Sequence, residues 1–487
     1  MILNSISFLI FFSIFFLLYW LEFKKNVKPQ NLLLLMGSYL FYGWTDWRFL
    51  AFLIGVSVLN FFLGIQIERT TNPRQKKWLV YIGLIQGIGG LVFFKYFNFF
   101  IGSFNHAFQA LNLNVNLQTL NIIIPLGISF FTFKTIGYIL DVDKGKIKAS
   151  KDWLVFFNYV SFFPTILSGP IDSGRTFIPQ LQKIRIFDAQ RSADGLRQIL
   201  WGLFKKMVIA DNLAVIANNI FENYASLPSS SLILGAFFFT IQIYADFSGY
   251  SDMAIGFARL IGFNVTRNFD FPFFAQNIAE FWRKWHISLT SWFTEYVFTP
   301  LSITFRDYGK AGLILAILIN FFIVGIWHGA NWTFALFGLV HGFLFIPLIL
   351  KGTMNKKKKA VSNKWIPSLK EFLNISGTFI LVMFTFIIFR SESISDAFHY
   401  YQGIFTKTSF AVSSFEQRTL AGETFITIFL LLFLFITEWR GRNDQYAIEK
   451  SGQKYPAIVR FLFYAFILFL IGMYSPTYET PFMYLKF

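Results

Sequence analysis

Long, uninterrupted apolar runs alternate with short polar joints along most of the chain. They cover 6–21, 31–44, 49–66, 78–100, 121–140, 153–168, 231–248, 311–327, 333–350, 372–389, 423–437 and 458–474. A membrane-crossing helix needs roughly 20 mostly apolar residues, whereas a membrane β-strand shows about 10 with alternating faces. The runs predict an all-α polytopic membrane protein with about ten to thirteen transmembrane or re-entrant helices. The shorter runs are expected to be tilted, bent or only partly crossing. The first run, Met1 to Leu21, has no charged lead and no small-residue cleavage site, so it reads as a first span and not as a removable signal.

Two stretches break the pattern. Residues 170–230 and 250–310 carry charges, prolines and amphipathic pieces between strong spans. "GLRQILWGLFKKMVIADNLAVIANNIF" has apolar residues at helical spacing around Lys205 and Lys206. "FPFFAQNIAEFWRKWHISLTSWFTEYVFTPLSITF" is rich in Trp, Phe and Tyr with charges interspersed. Such segments suit the membrane interface or a protein-lined cavity at membrane depth. Pro125, Pro164 and Pro170 read as local kinks. No internal repeat, long linker or separate soluble domain stands out.

Composition agrees. Of 487 residues, 55% are hydrophobic and 14% charged, and Phe alone contributes 68. Soluble domains carry about 25% charged residues, so secreted, fibrous, disordered and ordinary cytosolic classes are excluded. Disulfides, thiolate metal sites and thiol nucleophiles are excluded too, because there is no Cys. The net charge of +17 is concentrated in joints: Lys24 to Lys28, Arg69 to Lys77, Lys144 to Lys151, Lys356 to Lys359 and Arg440 to Lys454. Placing these joints in the cytoplasm puts 103–119 and 391–420 outside, with both termini extracytoplasmic. The basic residues lack interleaved aromatic reading surfaces, so no nucleic-acid partner is expected.

Five histidines are present: His106, His286, His328, His341 and His399. His328 follows the apolar run 311–327 in "GIWHGANWTF", and His341 lies inside "TFALFGLVHGFLF". Ionisable groups in membrane spans are costly and are functional candidates by default. The plainer alternative for each is a neutral histidine hydrogen-bonded between helices. His328 sits between Trp327 and Gly329, with Asn331 and Trp332 following, and His286 follows Trp282, Arg283, Lys284 and Trp285. Two Trp-flanked histidines suggest one aromatic-walled polar site, with Trp285, Trp327 and Asn331 as candidate substrate contacts. "YADFSGYSDMAIG" gathers Asp246, Ser248, Tyr250, Ser251 and Asp252 at the end of a span. It reads either as a helix break with capping residues or as an acidic, hydroxyl-rich edge that binds substrate or orients a histidine. Metal binding is not expected, since there is no HExxH spacing and no third ligand cluster. No GxSxG elbow supports a Ser nucleophile.

Together these stretches resemble the membrane-bound O-acyltransferase family, most of all its bacterial branch of alginate O-acetyltransferase membrane subunits and D-alanyl transfer proteins of teichoic acid synthesis. The likeness runs through "PLGISFFTFKTIGYILDV", "FFPTILSGPI", "GLFKKMVIADNLA", "YADFSGYSDMAIG", "FWRKWHISLTSWF", "WHGANWTFALFGLVHG" and "FIIFRSESISDA", and "PFMYLKF" looks like the family's aromatic ending. It implies a single acyltransferase domain over 1–487, with N-terminal helices to 120, a core over about 121–350 and C-terminal helices from 372. His328 matches the family's essential histidine, and His286 its second polar position, which is Asn, Asp or His across members. His341 falls at a less critical site. Where the alginate type has an Arg-Asp pair after Trp292, this chain has Phe293-Thr294-Glu295, which keeps a carboxylate and loses the Arg.

The resemblance further implies transfer of an acyl group, expected to be acetyl, from a cytoplasmic thioester such as acetyl-CoA or an acyl carrier, with His328 as general base. An unperturbed imidazole, with a pKa near about 6.5, is mostly neutral at pH 7, as a base must be. His286 would orient the thioester or polarise its carbonyl. Lys205, Lys206, Arg283 and Lys284 are candidates for the donor's phosphates. No tightly bound cofactor and no metal are implied. The expected setting is a bacterial inner membrane, with a hydrolase-like partner on the outer side and a polysaccharide acceptor. A transporter or a scaffold subunit of a polysaccharide-modifying complex is the competing reading.

Overall fold

The computed structural model describes residues 1–21, 26–113, 115, 117–354, 365–406, 414–450, 455–476 and 482–483, with backbone alone over 414–424. Lys24, Lys25, Lys356 to Lys359 and Lys454, which entered the charge argument, lie outside the described residues, as do Pro481 and Tyr484 to Phe487 of the aromatic ending.

The protein is all-α, with no strand among the described residues. The helices run α1 Ile6–Leu21, α2 Val27–Gly43, α3 Trp47–Arg69, α4 Pro73–Leu91, α5 Phe97–Ala110, α6 Ile128–Asp143, α7 Trp153–Ser161, α8 Gly174–Leu181, α9 Ala189–Leu203, α10 Asp211–Glu222 and α11 Ser229–Leu260. Then come α12 Ile278–Lys284, α13 Ile287–Phe293, α14 Thr299–Thr304, α15 Gly309–His328, α16 Trp332–Leu350, α17 Leu369–Arg390, α18 Ile394–Thr406, α19 Ser414–Gly441 and α20 Ala457–Tyr474. π-Helical turns at Val92–Tyr96, Phe204–Ala210 and Thr294–Phe298 join α4 to α5, α9 to α10 and α13 to α14. By length and composition, seven helical stretches among the described residues can cross a membrane: Trp47–Arg69, Pro73–Ala110, Ser229–Leu260, Arg306–His328, Trp332–Leu350, Leu369–Arg390 and Ala457–Tyr474.

Two compact units are distinguished: Met1–Leu196 with Ala254–Thr266, and Arg197–Met253 with Arg267–Phe487. In the first, buried polar groups tie the helices. The Arg185 guanidinium donates to the Tyr19 hydroxyl at 2.8 Å and to Asn31 Oδ1 at 2.8 Å, while Gln30 exchanges two hydrogen bonds with the Arg185 backbone. Such groups are costly to bury unless paired, so α1, α2 and the chain after α8 are held in one register. Phe8, Phe12, Phe41, Phe163 and Phe257 fill the space beside them.

Three boundaries differ from the apolar runs. Helix α6 begins at Ile128, not near 121, because Pro125 interrupts the run and Gly127 takes a positive φ of 71° that an L side chain resists. The run 153–168 stays helical only to Ser161, since a residue before proline, here Phe163, disfavours helix. Helix α11 continues unbroken through "YADFSGYSDMAIG", so its Asp and Ser residues are not caps.

The second unit contains the tightest pairing. Helices α15 and α16 form a hairpin closed by Gly329–Asn331, where the Asn331 side chain accepts from the Thr333 N–H at 3.1 Å and caps α16. A Cβ on Gly325 would lie 2.3 Å from the Phe334 carbonyl oxygen, and one on Gly338 would lie 2.1 Å from that of Phe321. The two helices therefore meet backbone to backbone. Gly338→Ala should lower stability by about 1–3 kcal/mol through overpacking. Gly377→Ala, on α17 where an added Cβ meets nothing within 4 Å, should hold or raise the melting temperature in the same detergent.

Candidate active site

His286 lies in the joint between α12 and α13 and takes a left-handed conformation, φ 44° and ψ 54°. A non-glycine residue there stores about 1–3 kcal/mol of strain and persists only where its surroundings over-determine it. They do. The Ile287 N–H donates to the Asn268 carbonyl at 2.8 Å, the Ser288 hydroxyl donates to Asn268 Oδ1 at 2.6 Å, and the Asp270 N–H donates to the Lys284 carbonyl at 3.0 Å. Asn268 in turn donates to the Ser251 hydroxyl of α11 at 3.2 Å. One loop thus clips the backbone on both sides of His286.

The His286 ring is fully buried, edge-on to Phe247 at 4.6 Å and to Trp327 at 5.7 Å between centroids. Trp327 in turn lies 4.9 Å from the His328 ring. His328 is the last residue of α15 and is buried, with its ring edge-on to Phe389 at 5.2 Å and Phe337 at 6.1 Å. Both Trp-flanked imidazoles therefore belong to one aromatic wall, each in ring contact with Trp327. Trp285 extends the wall through Phe281, Phe269 and Phe386. Outside the long apolar helices, burial pushes the His286 imidazole down to about 3, so it stays neutral.

His341 differs. Its Nδ1 accepts from the Trp282 indole N–H at 3.1 Å, and its Nε2 lies 3.0 Å from the Thr385 hydroxyl. That hydroxyl already donates to the Val382 carbonyl at 2.7 Å, so Nε2 carries the proton and donates. Both ring nitrogens are spent on packing α16 against α12 and α17. His341 is the neutral, hydrogen-bonded histidine of the plainer reading.

The "YADFSGYSDMAIG" residues serve a charge network. Gly202 and Gly249 bring the π turn against α11, since a Cβ on either would lie within 2.7 Å of the other's carbonyl oxygen. Lys206 Nζ then reaches Asp246 at 2.6 Å and Asp211 at 2.8 Å, and Lys205 Nζ reaches Asp252 at 2.6 Å. Both lysines are buried. Expected at donor phosphates, they have their charges met by carboxylates within the fold. Asp246 Oδ2 also accepts from the Met483 N–H at 2.8 Å. The adjoining Phe482 is fully buried, stacked on Tyr250 at 4.7 Å and 5.6 Å from Phe247. Asp246 and Tyr250 thus hold Met483 and Phe482 beside the Phe247–His286 pair. Ser248 is buried on the same helix. Asn331 is occupied as a cap and donates to the Glu392 carbonyl at 2.7 Å. Arg283 is exposed and donates to the Met354 carbonyl, while Lys284 pairs with Glu280 at 3.2 Å. Among the described residues, no cluster of three or more His, Asp or Glu could hold a metal.

Residues 150–389 match the model of the membrane-bound O-acyltransferase family. The chain is 35% identical to the probable alginate O-acetylase of Azotobacter vinelandii, covering 93% of this chain and 87% of that protein. The chain belongs to the membrane-bound O-acyltransferase family. It is also 31% identical to the peptidoglycan O-acetyltransferase of Helicobacter pylori, over 78% and 75% of the two chains. The likeness to the teichoic acid D-alanyltransferase of Bacillus subtilis is 31% over 56% and 70%. His286, Trp327 and His328 all lie inside the matched segment of this acyltransferase.

Phe247, Asn268, Phe389, Phe482 and Met483 completed the geometry without being picked out as site residues. Only the aromatic ending carried a signal, through the family likeness. Asn268 and Phe389 look like any loop Asn and any span Phe. The ion network gives a test. Lys206→Met strands two buried carboxylates and should cost about 3–5 kcal/mol. Adding Asp246→Asn should recover part of that loss, read as melting temperature of the two detergent-solubilised variants.

Proposed function

We propose that this acyltransferase moves an acyl group, acetyl in the first instance, from a cytoplasmic thioester to a hydroxyl on the extracytoplasmic side, with His328 as general base. The observation that carries the reading is that the buried His286 and His328 rings both contact Trp327, at 5.7 Å and 4.9 Å between centroids, in one aromatic site. The termini are assigned to the outer side and the basic joints to the cytoplasm, in a bacterial inner membrane. The relatives are named for alginate, peptidoglycan and teichoic acid, which favours a cell-envelope polymer, or a partner protein's hydroxyl that serves it, as acceptor. A second protein on the outer side completes delivery.

In the proposed step the acceptor hydroxyl gives its proton to His328 as its oxygen attacks the thioester carbonyl carbon. The tetrahedral intermediate then expels the thiolate, which takes the proton back from the His328 imidazolium. The C–S bond breaks, a C–O bond forms, and the base is regenerated. The neutral His286 orients the thioester and donates a hydrogen bond as charge builds on the carbonyl oxygen. A dry aromatic wall strengthens that interaction and excludes hydrolysis. The donor thioester supplies all of the chemistry that a cofactor would.

Purified protein reconstituted with radiolabelled acetyl-CoA and an acceptor tests this. His328→Ala should lower thioester turnover by about 10²–10⁴-fold while the melting temperature holds. A scaffold or transporter would leave turnover unchanged. Because burial keeps His286 neutral to about pH 3, an acidic limb of the rate profile between roughly pH 5 and 8 would not arise from that imidazole. His286→Gln should therefore lower the rate without moving that limb's midpoint. A shifted midpoint would transfer the base role to His286.

A further inference from the structure

A cavity of about 490 Å³ opens where α19 ends and α20 begins, away from the histidines in sequence and lined by neither. Its lining divides by chemistry. Phe433, Phe463 and Tyr464 are aromatic and come from the apolar stretches of the two helices. Arg440, Lys450 and Arg460 supply three cations, against the single carboxylate of Asp444. Lys450 pairs with Asp444, and Arg440 donates to the Tyr455 hydroxyl at 2.6 Å. The lining therefore carries a net charge of +2 when these groups are counted (three cations less one anion).

The surroundings say what kind of anion fits. Helix α20 is long and apolar enough to cross a membrane, yet only 11% of its apolar window is buried within the protein. Ile458, Phe461, Leu462 and Phe469 on it are more than half exposed, as is Leu432 on α19. A face of that kind is bathed by lipid tails. A basic recess over an aromatic floor, opening onto a lipid-covered face at a span's end, is complementary to a molecule with an anionic phosphate at one end and acyl carbons at the other. Guanidinium groups match phosphate geometry with paired N–H donors. We infer that this cavity binds the phosphate of an anionic membrane phospholipid, with its glycerol and first acyl carbons on Phe433 and Phe463. The site is separate from the acyl-transfer chemistry and would tie the α19–α20 joint to the charged leaflet.

Native mass spectrometry of the full-length protein in detergent micelles tests the inference, using phosphatidylglycerol and phosphatidylcholine of matched chains as probes. Wild-type protein should retain phosphatidylglycerol preferentially. At about 1 kcal/mol per arginine near a lipid phosphate, Arg440→Gln with Arg460→Gln should weaken that binding about 30-fold. Thr437→Trp, which fills the cavity and keeps its charges, should weaken it as well, and it carries the test if the double variant is not monodisperse. Unchanged phosphatidylglycerol binding in the variants, or equal retention of phosphatidylcholine, would overturn the assignment. Displacement of the lipid by inorganic phosphate or free coenzyme A at comparable concentration would also overturn it, giving the cavity to a soluble phosphate ligand.

Discussion

The contact between the α15 and α16 backbones constrains everything around the site. Gly325 and Gly338 leave no room for a side chain between the helices, so the two backbones of the hairpin meet directly. Its closing turn then fixes Trp327 and His328 at the end of α15. Phe337 and Phe389 pack on the His328 ring only because α16 and α17 keep that spacing. Without the glycines, His328 would be a histidine at a frayed helix end. With them it is a buried ring in a set orientation, the condition that general-base chemistry places on geometry before pKa.

A second feature is the separation of charge from the aromatic wall. The ionised groups of α11 and the π turn are gathered into short buried pairs: Lys206 with Asp246 and Asp211, and Lys205 with Asp252. The imidazoles instead face Phe247, Trp327, Phe337 and Phe389. An aromatic wall stabilises no full charge in the ground state, yet it amplifies any dipole aimed at charge that develops in the reaction. Asp246 joins the two regions by accepting from Met483, which sets Phe482 on Tyr250 and beside Phe247. Phe482 and Met483 are thus part of the wall's support.

Much of this was legible beforehand, for physical reasons. Membrane spans announce themselves because hydrocarbon tolerates no polar surplus, and the runs matching α3, α15, α16, α17 and α20 were plain. Histidines are few, so His286 and His328 stood out through their flanking tryptophans. Other features depended on information that no local pattern holds. The unbroken course of α11 through Asp246 and Asp252 required knowing that lysines from another helix would neutralise them. Lys205 and Lys206 invited a phosphate reading for the same reason, since a lone lysine pair does not reveal buried carboxylates 40 and 47 residues on (246 − 206 = 40 and 252 − 205 = 47). The clip that Asn268 forms around His286 is a tertiary contact with no sequence signature. The split between His341 and His328 became clear only when Trp282 and Thr385 took up both nitrogens of His341.

The central claim is that the acyl group reacts at the His286–Trp327–His328 wall. The most direct measurement is a cryo-EM structure of the full chain in lipid nanodiscs with an acetyl-CoA analogue whose thioester is replaced by a ketone. The ketone carbon should come to rest beside that wall, near the roughly 3–3.5 Å approach a reacting pair requires, with a nitrogen of His286 or His328 as its nearest polar neighbour. An acyl end lodged elsewhere, with both imidazoles still enclosed by their phenylalanines, would contradict it.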